Sequence, residues 1–462
     1  MVESAAGPEI GIDVLAWPAD PASELLTFHL AHPGPGIALP GDPNCAFFWN
    51  GRYHLHYIYD RGEQVGDFAF AHVSSPDLVH WRWHPTTLSL ATMGHGMFSG
   101  TGFITAEGRP AIIYQGFERD RPGLNQIAIA EDDELERWSP PIPIEARVRP
   151  DQDGSVISNW DPDAWLEGDT YYAIFGGETA TLLTSPDLAT WDYVGPFLSH
   201  DLPEAAEDLD ISCPNFFAIG GEHMLLCISH NLGCRYYLGE WNGDRFTPRV
   251  HGRMNWHGID FFAPESVVTA DGRRVMWSWC YLDVPLSGIQ SLPRELSLPD
   301  DGVLRIAPLR ELEGLRGDEV RGEDVVLPAG APVLVEGVSG DALEIAATIR
   351  PTSATRFGIR VHCDQSGAGG VGIVVDTAAG TIAIGDVTAP FDLAGDEEIR
   401  LRVFVDKHFV EAFANDRQAL VASHAYDPSD VAVVLIAEDG EAIASATAWR
   451  MSSIHAPTSA PA

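Results

Sequence analysis

The chain has 462 residues, which at roughly 100–200 residues per domain leaves room for two or three domains. With 28 Lys+Arg against 67 Asp+Glu the formal charge is −39 at pH 7, and Lys407 is the single lysine. A chain this acidic is repelled by phosphate backbones and anionic lipid, so the expectation is no nucleic-acid and no membrane partner.

The 45 Gly and 33 Pro are spread along the chain, which favours a turn-rich all-β protein over a helical bundle. Six cysteines without a CxxC form no disulfide or zinc framework. The first residues lack the basic and apolar regions of a signal peptide, and no apolar run reaches the ~18 residues of a membrane span. A cytoplasmic protein is expected, or a secreted one whose leader has been removed.

After a lead segment (1–35) the chain repeats. SSPDLVHW ends at Trp81, EDDELERW at Trp138, TSPDLATW at Trp191 and GEWNGDRF at Phe246, at spacings of 57, 53 and 55 residues. Between the markers lie short alternating runs such as FFWNGRYHLHYIY, GRPAIIYQGF and DTYYAIFGG, each bounded by turn residues. About four strands per period is the pattern of propeller blades, and 36–310 has room for five. LRELEGLRGDEV opens a charged, helical linker (311–332); a β-sandwich is expected over 333–456, followed by a disordered tail (457–462).

Two Asp-Pro dipeptides stand at the starts of strands in different blades: GDPN at 41–44 and NWDPDAW at 159–165. Either alone reads as a turn. Together, Asp42 and Asp161 read as carboxylates meeting at the propeller axis, which is what glycoside cleavage needs.

In these and other motifs the chain resembles glycoside hydrolase family 32, the invertases, inulinases and levanases. GDPNCAFFWNGRYHLHYIY is similar to the family's N-D-P-N-G segment, AHVSSPDLVHW to G-H-A-x-S-x-D-L-x-H-W, and MFSGTGF to F-S-G-S. WDPDAW resembles R-D-P-K-V-W, ISCPNFF resembles W-E-C-P-D-F-F, and DFFAPESV and SLPREL resemble D-F-Y-A-P-Q and T-L-P-R-E-L. LRVFVDKHFVEAFAND matches a segment of the second domain. The resemblance implies a five-bladed propeller with an axial site, a C-terminal sandwich, and retaining hydrolysis of β-fructofuranosyl bonds with no metal or other cofactor. It implies Asp42 as nucleophile and Asp161 as stabiliser of the transition state, with Asn44, Phe98 and Ser99 lining the first sugar subsite. Trp81 and Trp138 match core aromatics, whereas Trp49 is read either as packing or as a sugar platform.

Two departures stand out. The family's Arg before the second Asp is Trp160, and its acid/base Glu falls on Ser212, both now read as substrate-binding positions. A serine hydroxyl cannot donate a proton near neutral pH, and such help is typically worth about 10²–10⁴ in rate. Glu265, among apolar neighbours that would raise its pKa, is the expected replacement donor, about 5–5.5 Å from Asp42 in a retaining enzyme. Asp210 is the second choice, and Glu207 or Asp208 a looser third. Cys213 is not expected to act as a nucleophile, and His72, His95 and His257 have no metal-ligand spacing. The leading function is β-fructoside hydrolysis. The alternatives are a fructosyl or furanosyl transferase, a hydrolase of another furanoside, and a fructan-binding protein that has lost its acid.

Overall fold

Period-two alternation buries one face of each short run and leaves Gly, Asp and Asn to turn the chain, so consecutive runs pair as antiparallel meanders. The protein is described by a computed structural model covering residues 26–31, 39–60, 68–118, 123–205, 210–258, 260–281, 289–395 and 397–454. Most of the expected lead segment, the expected tail, and Glu207 and Asp208 lie outside the described residues.

The fold is a five-bladed β-propeller followed by a β-sandwich. Blade 1 is Leu39–Trp49, Arg52–Asp60, Phe68–Ser75 and Arg82–Leu88, paired in that order. Blade 2 runs from Gly96 to Pro143 and blade 4 from Ser212 to Arg253, each with four strands. Blades 3 and 5 each gain a fifth strand, Ala146–Arg147 and Ile289–Gln290 respectively. The first strand of every blade lies innermost, so these strands touch across the axis. The ring is tied by the segment at 26–31: Gln290 N donates to Leu30 O (2.9 Å), and Ala31 bridges Ile289. The α-helix among the described residues is one turn, Leu90–Met93, and no helix there is long and apolar enough to cross a membrane.

The repeat has a definite backbone. Leu78, Leu135 and Leu188 each adopt left-handed φ (65°, 57°, 62°), a conformation that costs a non-glycine residue roughly 1–2 kcal/mol. All three leucine side chains are buried, which contributes about 1.5–3 kcal/mol each and offsets that strain. Asp77 and Asp187 accept from the backbone N–H groups that follow, and the indoles of Trp138 and Trp191 donate to Leu135 O and Leu188 O at 3.0 Å. These aromatic markers sit at or just ahead of a blade's fourth strand, so they start that strand rather than end the blade.

The sandwich consists of two six-stranded sheets, one ordered Arg316–Leu327, Ala442–Met451, Ala342–Pro351, Ile399–Asp406, Phe409–Ala414, Gln418–Ser423. Its core is aliphatic, with Ile345, Ile359, Val403 and Leu435 buried between the sheets. The expected helical linker at 311–332 is corrected. Its only helical part is a 3-10 turn, Arg310–Leu315, and Arg316–Leu327 is already an edge strand of the sandwich. The charged residues that suggested a helix are divided between that turn (Arg310, Glu311, Glu313) and the start of the strand (Arg316, Asp318, Glu319), where a register shift interrupts the alternation.

Propeller and sandwich meet over buried charges. Glu411 accepts from Arg294 (2.7 Å) and Leu292 N (2.7 Å) and lies 3.4 Å from His29 Nε2. Asp406 accepts from Phe28 N, His29 N and His29 Nδ1. Burial acts to lower the His29 pKa, yet hydrogen bonds to Asp406 and Glu411 raise it above the ordinary imidazole value.

Candidate active site

Bulges shape the axial end of the innermost strands. Cys45, Cys213 and Ala263, in blades 1, 4 and 5, have φ of 42°, 46° and 43°, and each strand breaks register there. Such strain in non-glycine residues re-aims side chains near functional sites. The bulge in blade 4 places the Cys213 thiol between two carboxylates: Sγ lies 3.8 Å from Asp42 Oδ2 and 3.6 Å from Asp161 Oδ2. Cys213 N also donates to Asp161 (3.3 Å), and Ser99 Oγ donates to Asp42. Burial and the two flanking carboxylates push the thiol well up, so it is a protonated donor and not a nucleophile.

Both acids are pushed up by burial. Burial raises the Asp42 pKa against the lowering effect of Ser99, Cys213 and His230. Asp161 is raised to about 6, first by burial and then by the charge of Asp42, while Cys213 and His230 act against the shift. A neighbouring like charge in a dry site raises a carboxyl in this way.

Glu265 does not join them. It is 1 % exposed, accepts from Ala46 N (2.8 Å), and responds electrostatically to Asp163 and Arg274. Phe262, at the upper end of the same strand, touches the His230 ring, and Glu265 lies three residues further down. At ~3.3 Å per residue that is most of 10 Å deeper, less the bulge. The expectation of a donor carboxyl beside Ser212 is corrected: Glu265 belongs to a floor beneath the site. There Asp163 joins three blades, accepting from Thr101 Oγ1 (2.6 Å) and Phe216 N (2.7 Å), with its pKa raised to about 7 by burial.

Ser212 is fully buried and donates to Asp210 Oδ2 (2.8 Å). The same carboxylate accepts from His230 N (3.0 Å) and lies 2.7 Å from His230 Nδ1. Partial burial pushes the Asp210 pKa up, but these bonds together hold it below the ordinary value. Asp210 is therefore ionised and has no proton to give, which corrects its reading as a donor. Trp160, 41 % exposed, meets the His230 ring edge-on at 5.8 Å. Both line a cavity of about 650 Å³ with Asp210, Glu178 and Ser158.

The other expected site residues divide. Asn44 is buried and committed to Asp42 O (2.8 Å) and Gly100 N (3.0 Å), so it pins blade 1 to blade 2. Phe98 packs between Phe68 and Phe117. Trp49 and Trp138 pack against the core between blades 1 and 2, and Trp81 against that between blades 1 and 5. His72 is stacked inside blade 1, His95 bonds Tyr114, and His257 pairs with Asp260, all apart from the acids. His230 and Asp163 went unnoticed in the sequence. Asp163 carried a faint signal, standing two residues after Asp161 on the same strand face; His230 carried none.

Two buried acids sharing one thiol on a propeller axis, beside a cavity that Trp160 and His230 line, are equipment for cleaving glycosides. The glycosyl hydrolases family 32 N-terminal domain model matches residues 32–308, and the family 32 C-terminal model matches residues 311–450. The chain belongs to glycosyl hydrolase family 32 and is a glycosidase. It is 27% identical over 457 residues to a sucrose-6-phosphate hydrolase of Escherichia coli, covering 90% of this chain and 92% of that one. It is also 27% identical to the levanase of Bacillus subtilis, over 82% of this chain and 63% of that one. Among solved structures, fructan 1-exohydrolase IIa of Cichorium intybus superposes with a TM-score of 0.78 at 19% identity, over 93% and 97% of the two chains.

Proposed function

We propose that the protein hydrolyses β-fructofuranosides with retention, Asp42 being the nucleophile and Asp161 the group that holds sugar hydroxyls as charge develops. The observation that carries this reading is the thiol shared by the two acids, which sets both within reach of one furanose ring. Asp42 attacks the anomeric carbon as the bond to the leaving oxygen breaks, giving a fructosyl ester that water then opens. Ser99 and Cys213 donate to Asp42 and favour its ionised form. Asp161, ionised above about pH 6, stabilises the positive charge that builds on the ring.

The substrate is a neutral fructoside rather than a sugar phosphate. The cavity beside Trp160 is lined by Asp210 and Glu178 and, among the described residues, by no Lys or Arg. A phosphate dianion there would meet carboxylates with no compensating cation among the described residues. Product analysis on sucrose, inulin, levan and sucrose 6-phosphate tests both statements. Free fructose from a neutral substrate supports hydrolysis, and new fructosyl linkages would move the reading to a transferase. A kcat/KM for sucrose 6-phosphate above that for sucrose would overturn the substrate assignment.

A further inference from the structure

Retaining cleavage of an unactivated fructoside needs a proton on the leaving oxygen, and neither Ser212 nor Glu265 can deliver one. We infer that His230 is the acid and base of this site, held in place by Asp210 and Ser212. This rests on the proposed retaining hydrolysis and names the group that it lacks.

Geometry carries the assignment. His230 directly follows the second strand of blade 4, Glu222–Ser229, and its Nδ1 is committed to Asp210 Oδ2 at 2.7 Å. The Asp210 carboxylate is itself fixed by Ser212 Oγ (2.8 Å) and His230 N (3.0 Å), while its backbone carbonyl accepts from Arg235 Nη2 (2.6 Å). A carboxylate on one ring nitrogen sets the tautomer and orientation of the imidazole. Nε2 has no protein partner among the described residues, and the side chain is 53% exposed on the cavity wall. Trp160 and Phe262 hold the ring edge-on from two sides, each at 5.8 Å. The ring is close enough to act on both Asp42 and Asp161 by charge.

The chemistry balances. Protonated Nε2 gives its proton to the glycosidic oxygen as that oxygen leaves the anomeric carbon and Asp42 bonds to it. Neutral Nε2 then takes a proton from the attacking water while the ester to Asp42 breaks, which restores both groups. Among the described residues, the charged groups facing the ring are Asp210 on its own blade, Asp161 and Glu178 from blade 3, and Asp42 from blade 1; Phe262 of blade 5 presents none. Ser212, in the family's acid position, thus works through Asp210 as a positioning residue.

The test compares wild type, His230→Gln and Asp210→Asn on sucrose and on 4-nitrophenyl β-fructofuranoside, whose leaving group needs no proton. His230→Gln should lose about 10²–10⁴ in kcat/KM on sucrose and less than about tenfold in kcat/KM on the nitrophenyl substrate, while kcat falls on both because opening of the shared ester loses its base. The alkaline fall of the wild-type sucrose profile should vanish in the variant. Azide, a nucleophile that needs no base, should restore turnover of the nitrophenyl substrate by His230→Gln. Asp210→Asn should give the same pattern more weakly. Equal losses in kcat/KM on both substrates with a wild-type melting temperature would overturn the donor role, as would unchanged sucrose turnover. If His230→Gln is unfolded, Asp210→Asn and the wild-type pH profile decide in its place. A wild type that turns over neither substrate refutes fructoside hydrolysis itself, and the donor role with it. A wild type active on both with an unselective variant refutes the donor alone.

Discussion

Glu411→Gln should loosen the junction of propeller and sandwich by about 3–5 kcal/mol. In the native protein the Glu411 carboxylate is fully buried and accepts from Arg294 and Leu292 N, each at 2.7 Å. The Arg294 guanidinium is 1 % exposed and lies over the Phe261 ring at 4.1 Å. A glutamine of the same shape keeps one acceptor but loses the charge that Arg294 requires. One charge-assisted hydrogen bond accounts for about 1.5–3 kcal/mol, and a buried donor left unsatisfied for about 1–3 more. The sum matches the cost of breaking a buried pair by removing one partner. Urea unfolding followed by tryptophan fluorescence should show a lower midpoint with an unchanged slope. The paired change Arg294→Met with Glu411→Met should be no worse than Glu411→Gln alone, since it removes both charges together. A Glu411→Gln midpoint shift worth under about 1 kcal/mol would refute the reasoning, as would simple additivity of the two sites.

Blade 1 buries His54, His56, His72 and His84 in one stack; burial first, and neighbouring imidazoles second, hold His54 down to about 3. Such groups bind protons only in the unfolded chain below the ordinary imidazole value. Stability should therefore fall from about pH 6.5 downward, by about 2 kcal/mol at pH 5 for each of His54 and His56, and a flat melting temperature between pH 7 and 5 would contradict this. His29 works in the opposite sense: with its pKa raised, its contribution is complete below about pH 6.5 and is lost as pH rises through its folded value. In wild type kcat/KM should fall on the acid side near pH 6 as Asp161 takes up a proton. Cys213→Ala removes a donor that lowers both acids, so that limb should move to higher pH; a shift to lower pH would refute the role given to the thiol. Asp42→Asn should abolish turnover and leave the melting temperature equal or higher, because it removes the charge that opposes Asp161; a marked drop would mean that Asp42 holds the fold.

Two kinds of signal separate what was legible in the sequence from what was not. The blades were legible because each is a local meander, and in blades 1, 2 and 3 the turn before the fourth strand repeats one solution: a buried leucine in left-handed backbone with a tryptophan three residues on. Arg316–Leu327 was misread because an edge strand with one solvated face carries its charges in the same density as a helix, and its partner, Ala442–Met451, is more than a hundred residues away.

The sequence by itself determined the five-bladed propeller, the sandwich, the family and the two Asp-Pro acids, since alternation, turn chemistry and ordered motifs are written within short stretches of chain. Only the tertiary structure decided the depth of each carboxyl along the axis. Glu265 and Asp161 both begin in the sequence as acids near the start of an inner strand. Bulges and the convergence of strands leave one at the site and the other in the floor. The link from His230 to Asp210 and Ser212 was likewise out of reach of the sequence. It joins the end of one strand to the start of its neighbour across a turn of the sheet, and nothing local to either segment records that pairing.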